Sequence, residues 1–262
     1  MTHADAPSPA LGSARAGGPP STPRSTLVVT AHAGDFVWRA GGAVALAAAR
    51  GEKVTIACLA FGERGESAKA GREGRTLDET KVIRREEAER AAAVLGAEVR
   101  FFDAGDYPLT ETAELTDRLV AVYRETQPDV VLTHPAEDPY NGDHPAAHRM
   151  ALQARILAQA IGHPGEGDII GAPPVFCFEP HQPEMSGFRP EVLLDITEVW
   201  DTKRKAMECL GAQQHLWDYY TDLAVRRGVQ LRRNAGPNLG LAHSTLAEAY
   251  MRPFPQIAKE LA

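Results

Sequence analysis

The 262-residue chain has little cysteine: three residues, Cys58, Cys177 and Cys209, widely spaced and without a C-x-x-C pair. An odd, scattered set excludes a disulfide framework and favours a reducing, cytoplasmic setting. Each lies in an apolar run, where a free thiol behaves as a small buried hydrophobe. An excess of basic charge is also lacking. With 28 Lys and Arg against 35 Asp and Glu, the formal net charge is −7. That argues against a general nucleic-acid or membrane-surface binder, which needs a basic face; a local basic pocket for an anionic substrate remains compatible with it. No apolar run is long enough to cross a bilayer, and the first residues contain no apolar stretch of the secretory kind. Residues 1–25, rich in Ala, Pro, Gly and Ser, can bury little and are expected to form a disordered tail. Residues 26–262 are then expected to form one α/β domain.

What is present is an alternation of strand-like and helix-like segments. β-branched or apolar runs predict strands at 26–30, 53–60, 99–102, 129–133, 175–178 and 192–195. Between them, helices are predicted at 43–50, 78–95, 113–125, 145–160 and 198–213. Such alternation implies βαβ units and a layered, mostly parallel, Rossmann-like sheet with helices on both faces. In that architecture, function gathers beyond the carboxyl ends of the strands. Histidines and carboxylates collect there: His32 and Asp35 after the first strand, Glu63 and Glu66 after the second, Asp103 and Asp106 after the third, His134 to His144 after the fourth, and His181 after the fifth.

His32-x-x-Asp35 offers two metal-ligand types in one turn, and His144 brings a third from another loop. Two nitrogens and one carboxylate oxygen leave a position open, as in catalytic zinc sites. Asp143, beside His144, is expected to fix that imidazole's tautomer. Spacing alone leaves a chance H-x-x-D as the alternative.

The order of several motifs carries more weight. Ala31-His32-Ala33-Gly34-Asp35, then Gly41-Gly42, then Arg84-Arg-Glu-Glu87…Ala91…Leu95-Gly96, then Asn141-Gly142-Asp143-His144, then Asp195-Ile-Thr197…Lys203…Ala212-Gln213 together resemble the PIG-L (LmbE-like) family, whose members are mostly zinc-dependent N-deacetylases. The resemblance implies an LmbE-like fold and one divalent ion, zinc in the family, on His32, Asp35 and His144. It also implies a homo-oligomer. The chain departs from the deacetylase pattern at two places. The family's A-H-P-D-D carries its general base at the position of Gly34, and the first histidine of its H-P-D-H is replaced by Asn141. Losing such a base costs a hydrolase on the order of a hundredfold or more, so retained ligands without it point to another reaction.

Within the family, the strings Asp35-Phe-Val-Trp-Arg-Ala-Gly-Gly42, Phe61-Gly-Glu-Arg-Gly-Glu-Ser67, Glu137-Asp-Pro-Tyr-Asn141, Gly171-Ala-Pro-Pro-Val-Phe176 and Phe178-Glu-Pro-His-Gln-Pro-Glu184 resemble the branch of 4-oxalomesaconate hydratases. These are lyases of gallate and protocatechuate degradation that give 4-carboxy-4-hydroxy-2-oxoadipate. With Gly34 silent, acid and base must come from elsewhere on the rim. Glu66 and His181 are the expected pair, in either order, with Glu63 as a further candidate and His134 in reserve. Arg39 and Arg64 are expected to bind substrate carboxylates, and Asn141 and Tyr140 to add neutral hydrogen bonds; Lys69 reads as solvated surface. The alternative is a zinc N-deacetylase acting on an amino-sugar conjugate.

Overall fold

A computed structural model describes residues 23–235 and 240–257 of the chain; the expected tail lies outside them as far as residue 22. Seven strands form one sheet: β1 (Ser25–Thr30), β2 (Lys53–Cys58), β3 (Glu98–Phe101), β4 (Val130–Thr133), β5 (Val175–Phe178), β6 (Val192–Asp195) and β7 (Ala247–Met251). Their order is β3-β2-β1-β4-β5-β7-β6. Neighbours from β3 to β5 pair in parallel, whereas β7 pairs antiparallel with both β5 and β6. The expected mostly parallel sheet is therefore present, with one antiparallel strand inserted. That strand, Ala-Glu-Ala-Tyr-Met, is obscured in the sequence by a mid-strand glutamate that turns out to be buried.

β1 is buried along its whole length, as a strand covered on both faces must be. Its side chains alternate between two cores. Val28 packs with Phe36, Leu95 and Met207, while Leu27 and Val29 pack with Leu119, Tyr123 and Met150. The helices are α1 (Asp35–Ala49), α2 (Ala68–Arg72), α3 (Leu77–Leu95), α4 (Ala113–Thr126), α5 (Asp143–Gln159), α6 (Trp200–Glu208) and α7 (Leu216–Ala235). α2 is too short to take part in the cores. α3 opens with a capping box between Thr76 and Glu79 and closes on Gly96 in the left-handed region, the arrangement expected of such residues.

Two helices differ from their expected limits by more than two residues. α1 starts at Asp35, eight residues before the expected Ala43, so the Gly41-Gly42 pair lies inside it. Glycine disfavours a helix interior by about 1 kcal/mol; here the close packing requires it. A Cβ on Gly42 would fall 2.5 Å from Ile196 Cγ2, and one on Gly41 3.2 Å from Lys203 Cγ. The buried Lys203 ammonium donates to Glu248 at 2.7 Å and to the Trp38 carbonyl, and Glu248 accepts the amides of Gly42 and Ala43. This ion pair anchors α1, which carries Asp35 and Arg39. The second difference is the segment expected as one helix over 198–213. It divides into α6 and a separate 3-10 turn at Gly211–Gln213, because the fully buried Leu210 leaves the helical conformation. Among the described residues, no helix is long and apolar enough to cross a membrane.

Candidate active site

The strand order reverses between β1 and β4, and ligands of open α/β sheets bind at such a point. β1 runs into a tight turn in which the Asp35 Oδ2 accepts the His32 backbone amide at 2.8 Å, and α1 begins there. β4 leads through 134–142 into α5, whose first turn carries Asp143 and His144. One atom each from His32, Asp35, Glu66 and His144 lie within 4.8 Å of one another. His32 Nδ1 is 3.5 Å from Asp35 Oδ2 and 3.1 Å from Glu66 Oε1; His144 Nε2 is 3.6 Å from Asp35 Oδ1.

Each imidazole is backed by a carboxylate that can only accept. His32 Nε2–H donates to Asp143 at 3.0 Å, and His144 Nδ1–H donates to Asp138 at 2.8 Å. The inner nitrogens, His32 Nδ1 and His144 Nε2, face the cluster, and both are buried without a hydrogen-bond partner. Buried polar atoms are rarely left so. Four carboxylates (Asp35, Glu66, Asp138 and Asp143) surround these rings with one guanidinium, Arg39, at 3.4 Å from Asp35. Burial favours a neutral His32, yet Glu66, Asp143 and Asp35 outweigh it and raise its pKa. The donor set fits a divalent cation, with the imidazole tautomers fixed from behind as at metal sites generally. The expected role of Asp143 is corrected by this geometry: it orients His32, not its chain neighbour His144, because the first turn of α5 points the two side chains apart. Asp143 also accepts the amides of Tyr107 and Leu109.

A cavity of about 700 Å³ opens onto this cluster. Glu66 lines it, its carboxylate brought down to about 2 because His32 outweighs the effect of burial. His181 lines it too. Its ring stacks on Tyr219 at 4.4 Å, its Nδ1 lies 3.3 Å from the Tyr220 hydroxyl, and its carbonyl accepts from Tyr219. Burial and then Arg39 push its pKa down to about 4, so the ring is neutral at neutral pH. Arg39, Tyr140 and Asn141 line the cavity as expected.

Three expected residues lie elsewhere. Asp106, fully buried, accepts the amides of Arg64 and Gly65 and so fixes the turn after β2. That turn sends Gly65 and Glu66 to the cavity. Arg64 instead folds back onto the Asp106 carbonyl at 2.9 Å, and Glu63 lies 3.8 Å from Lys81. Glu63 is raised by burial and by Asp106, away from the cluster. Neither lines the cavity. His134 sits behind the site: its Nε2 accepts the Ala31 amide at 3.0 Å, and burial and His144 hold its pKa at about 3.

Other lining residues were given no place at the site from the sequence, although Gln213 stood in a family motif. Lys69, read as solvated surface, and Arg72 lie on α2, and His215, Gln213 and Tyr220 come from the segment after α6. The polar string 61–67 marked the first loop, but a five-residue helix leaves no periodicity to read.

A layered α/β sheet thus carries, at its switch point and facing a cavity, a group of His32, Asp35, Glu66 and His144 that could hold a metal ion. The chain belongs to the PIG-L family: the model of that family, described as GlcNAc-PI de-N-acetylase, matches residues 27–155, and a longer relative extends the match. It is 52% identical over 241 residues to a 4-oxalmesaconate hydratase of Pseudomonas putida, covering 91% of this chain and 93% of the relative. The crystal structure of GalB, the 4-carboxy-2-hydroxymuconate hydratase of P. putida KT2440, superposes with a TM-score of 0.88 at 52% identity, covering 91% of this chain and 100% of that one. A diacetylchitobiose deacetylase of Thermococcus kodakarensis is 26% identical over 75% of this chain and 73% of its own length.

Proposed function

We propose that the protein is a metal-dependent hydro-lyase that adds water across the carbon–carbon double bond of 4-oxalomesaconate, giving 4-carboxy-4-hydroxy-2-oxoadipate. The observation that carries this reading is a retained donor set beside a relocated carboxylate: Gly34 offers no base, while Glu66 reaches the same cluster from the loop after β2. The 52% identity to the P. putida hydratase over nine-tenths of both chains supports it. The two substrate names among the relatives describe one carbon skeleton, since a 2-hydroxymuconate is the enol of the corresponding 2-oxo acid.

His32, Asp35 and His144 would hold zinc, one ion per subunit, two nitrogens and one oxygen being a catalytic zinc set. When bound, such an ion supplies Lewis-acid stabilisation of negative charge on the oxo-acid oxygens. Glu66, anionic at neutral pH, takes a proton from the attacking water, whose oxygen becomes the product hydroxyl. His181, a neutral ring steadied by Tyr219 and Tyr220, gives its N–H proton to the neighbouring carbon as its other nitrogen takes up a proton. The proton on Glu66 refills the histidine through solvent, so one water is consumed and no proton is released. Arg39, Lys69 and Arg72 bind the carboxylates by charge-assisted hydrogen bonds, with Asn141 and Tyr140 adding neutral ones. Three unpaired cysteines accord with a cytoplasmic location, and light scattering checks the expected homo-oligomer.

Metal-replete protein mixed with 4-oxalomesaconate should bleach the conjugated absorbance; unchanged absorbance overturns the reading. The retained family donor set keeps one alternative, a zinc N-deacetylase, in view. Acetate release from diacetylchitobiose with no hydration would establish it instead.

A further inference from the structure

Glu66 is held by two neutral amides. Asn141 Nδ2 donates to its Oε1 at 3.2 Å, and Gln213 Nε2 lies 3.4 Å from its Oε2. Chemistry fixes which end of the Gln213 amide faces Glu66. Its oxygen meets two groups that can only donate, the Trp38 indole N–H at 3.2 Å and Arg84 Nη2 at 2.8 Å. The NH2 end must therefore point the other way, to the carboxylate. Arg84, fully buried, is itself clamped by Glu87 at 2.9 Å and by the Phe61 carbonyl. Glu87 closes the ring by accepting the Ala212 amide at 2.8 Å, one residue before Gln213. The Arg84/Glu87 pair on α3 and Gln213 on the 3-10 turn thus form one buried bracket that ends on Glu66.

Gly34 is part of the same arrangement. A Cβ at residue 34 would lie 2.6 Å from Gln213 Oε1, 2.7 Å from Trp38 Nε1 and 3.1 Å from Arg84 Nη2. The first two distances are shorter than any ordinary contact, so a side chain at 34 and Gln213 in its present position exclude each other. We propose that Gln213 is the positioning residue for Glu66. This rests on the hydratase reading, in which Glu66 is the base.

The test is a double-mutant cycle on metal-loaded enzyme, with turnover of 4-oxalomesaconate by the wild type as the prior check on the reading itself. Gln213→Leu removes the amide. Gln213→Glu keeps an acceptor for Trp38 and Arg84, which preserves the fold, but sets oxygen against oxygen at Glu66. Each should lower kcat by about tenfold to a hundredfold, the range for one hydrogen bond to a charged group, with KM within about threefold of the wild type's. In a Glu66→Gln background, the further loss from either substitution should vanish, because both act through Glu66. Metal content should stay at the wild-type value. A crystal structure of Gln213→Leu, which needs no substrate, should show the Glu66 carboxylate turned from its present position. The proposal is overturned by folded Gln213 variants with unchanged kcat, by additive losses in the Glu66→Gln background, by loss of metal, or by an unmoved Glu66 in Gln213→Leu.

Discussion

The two sides of the cavity are built on different terms. On the donor side, His32, Asp35 and His144 are at most 2% exposed, stand at the starts of long helices or ends of central strands, and each imidazole has its own carboxylate behind it. On the other side, Lys69, Arg72 and His215 are exposed and His181 is half-buried, carried by loops, a five-residue helix and the start of α7. The first side is over-determined: moving any member strands a buried polar partner. The second can be rearranged without disturbing the sheet. A family can thus keep its cation site and change its reaction by altering the loops that face it, and Gly34, Glu66 and Asn141 stand at the junction of the two sides.

The largest expected effects separate donors from chemistry. His32→Ala or His144→Ala should abolish metal retention and lower turnover about a thousandfold or more, since a Lewis acid contributes several kcal/mol. Glu66→Gln should lower kcat by about a hundredfold to ten-thousandfold while the protein keeps its metal by elemental analysis. Metal lost from Glu66→Gln would move that residue to the donor side and break the division. Next in size, Asp138→Asn should weaken metal affinity by about tenfold to a hundredfold in a chelator competition, because the His144 ring loses its acceptor. On the opposite side, Lys69→Ala and Arg72→Ala should each raise KM by about tenfold with kcat nearly unchanged. That pattern marks binding made equally in ground and transition states, and salt should erode it.

Much of the donor side was legible in the sequence because it is local. A strand, a three-residue turn and a helix start put His32 and Asp35 together by chain geometry, and motif order supplied His144. The backing acids were only half legible. Asp143 is adjacent to His144 in sequence, yet serves His32 across 111 residues, a pairing that only the fold can make. The other side was read in part. Glu66 and His181 stood out by residue type at strand ends. Arg64 and Glu63 did too, and both were turned away by Asp106, forty-odd residues distant. Lys69, Arg72 and His215 carry no local pattern, since only the approach of α2 and the 211–216 segment brings them to the cavity. The Gly-Gly pair misplaced the start of α1 for a similar reason: helix propensity is a weak prior, and close packing against Ile196 and Lys203 overrides it.

The smallest predicted effect asks how sheltered the loosely built side is. His181 has its pKa lowered from the ordinary 6.5 to about 4, by burial and then by Arg39. A proton therefore binds the unfolded chain more readily than the folded one. The histidine's contribution to stability is complete above pH 6.5, is lost as the pH falls from 6.5 towards 4, and changes little below that. The full shift would correspond to about 3 kcal/mol, but a half-buried ring is partly screened by solvent, and roughly 1–2 kcal/mol is the expected size. Urea denaturation at pH 7.5 and pH 4.5 reads it as a difference of differences. Wild type should lose that much more stability across the interval than His181→Gln, whose side chain does not titrate, so the acids common to both proteins cancel. Equal losses would mean that Tyr219, Tyr220 and Arg39 do not insulate the ring, and that His181 belongs with the exposed Lys69 and Arg72 rather than between the two sides. A larger loss than expected would place it with the sealed donor residues, and the boundary between the two constructions would then run through the loop after β5 instead of through Glu66.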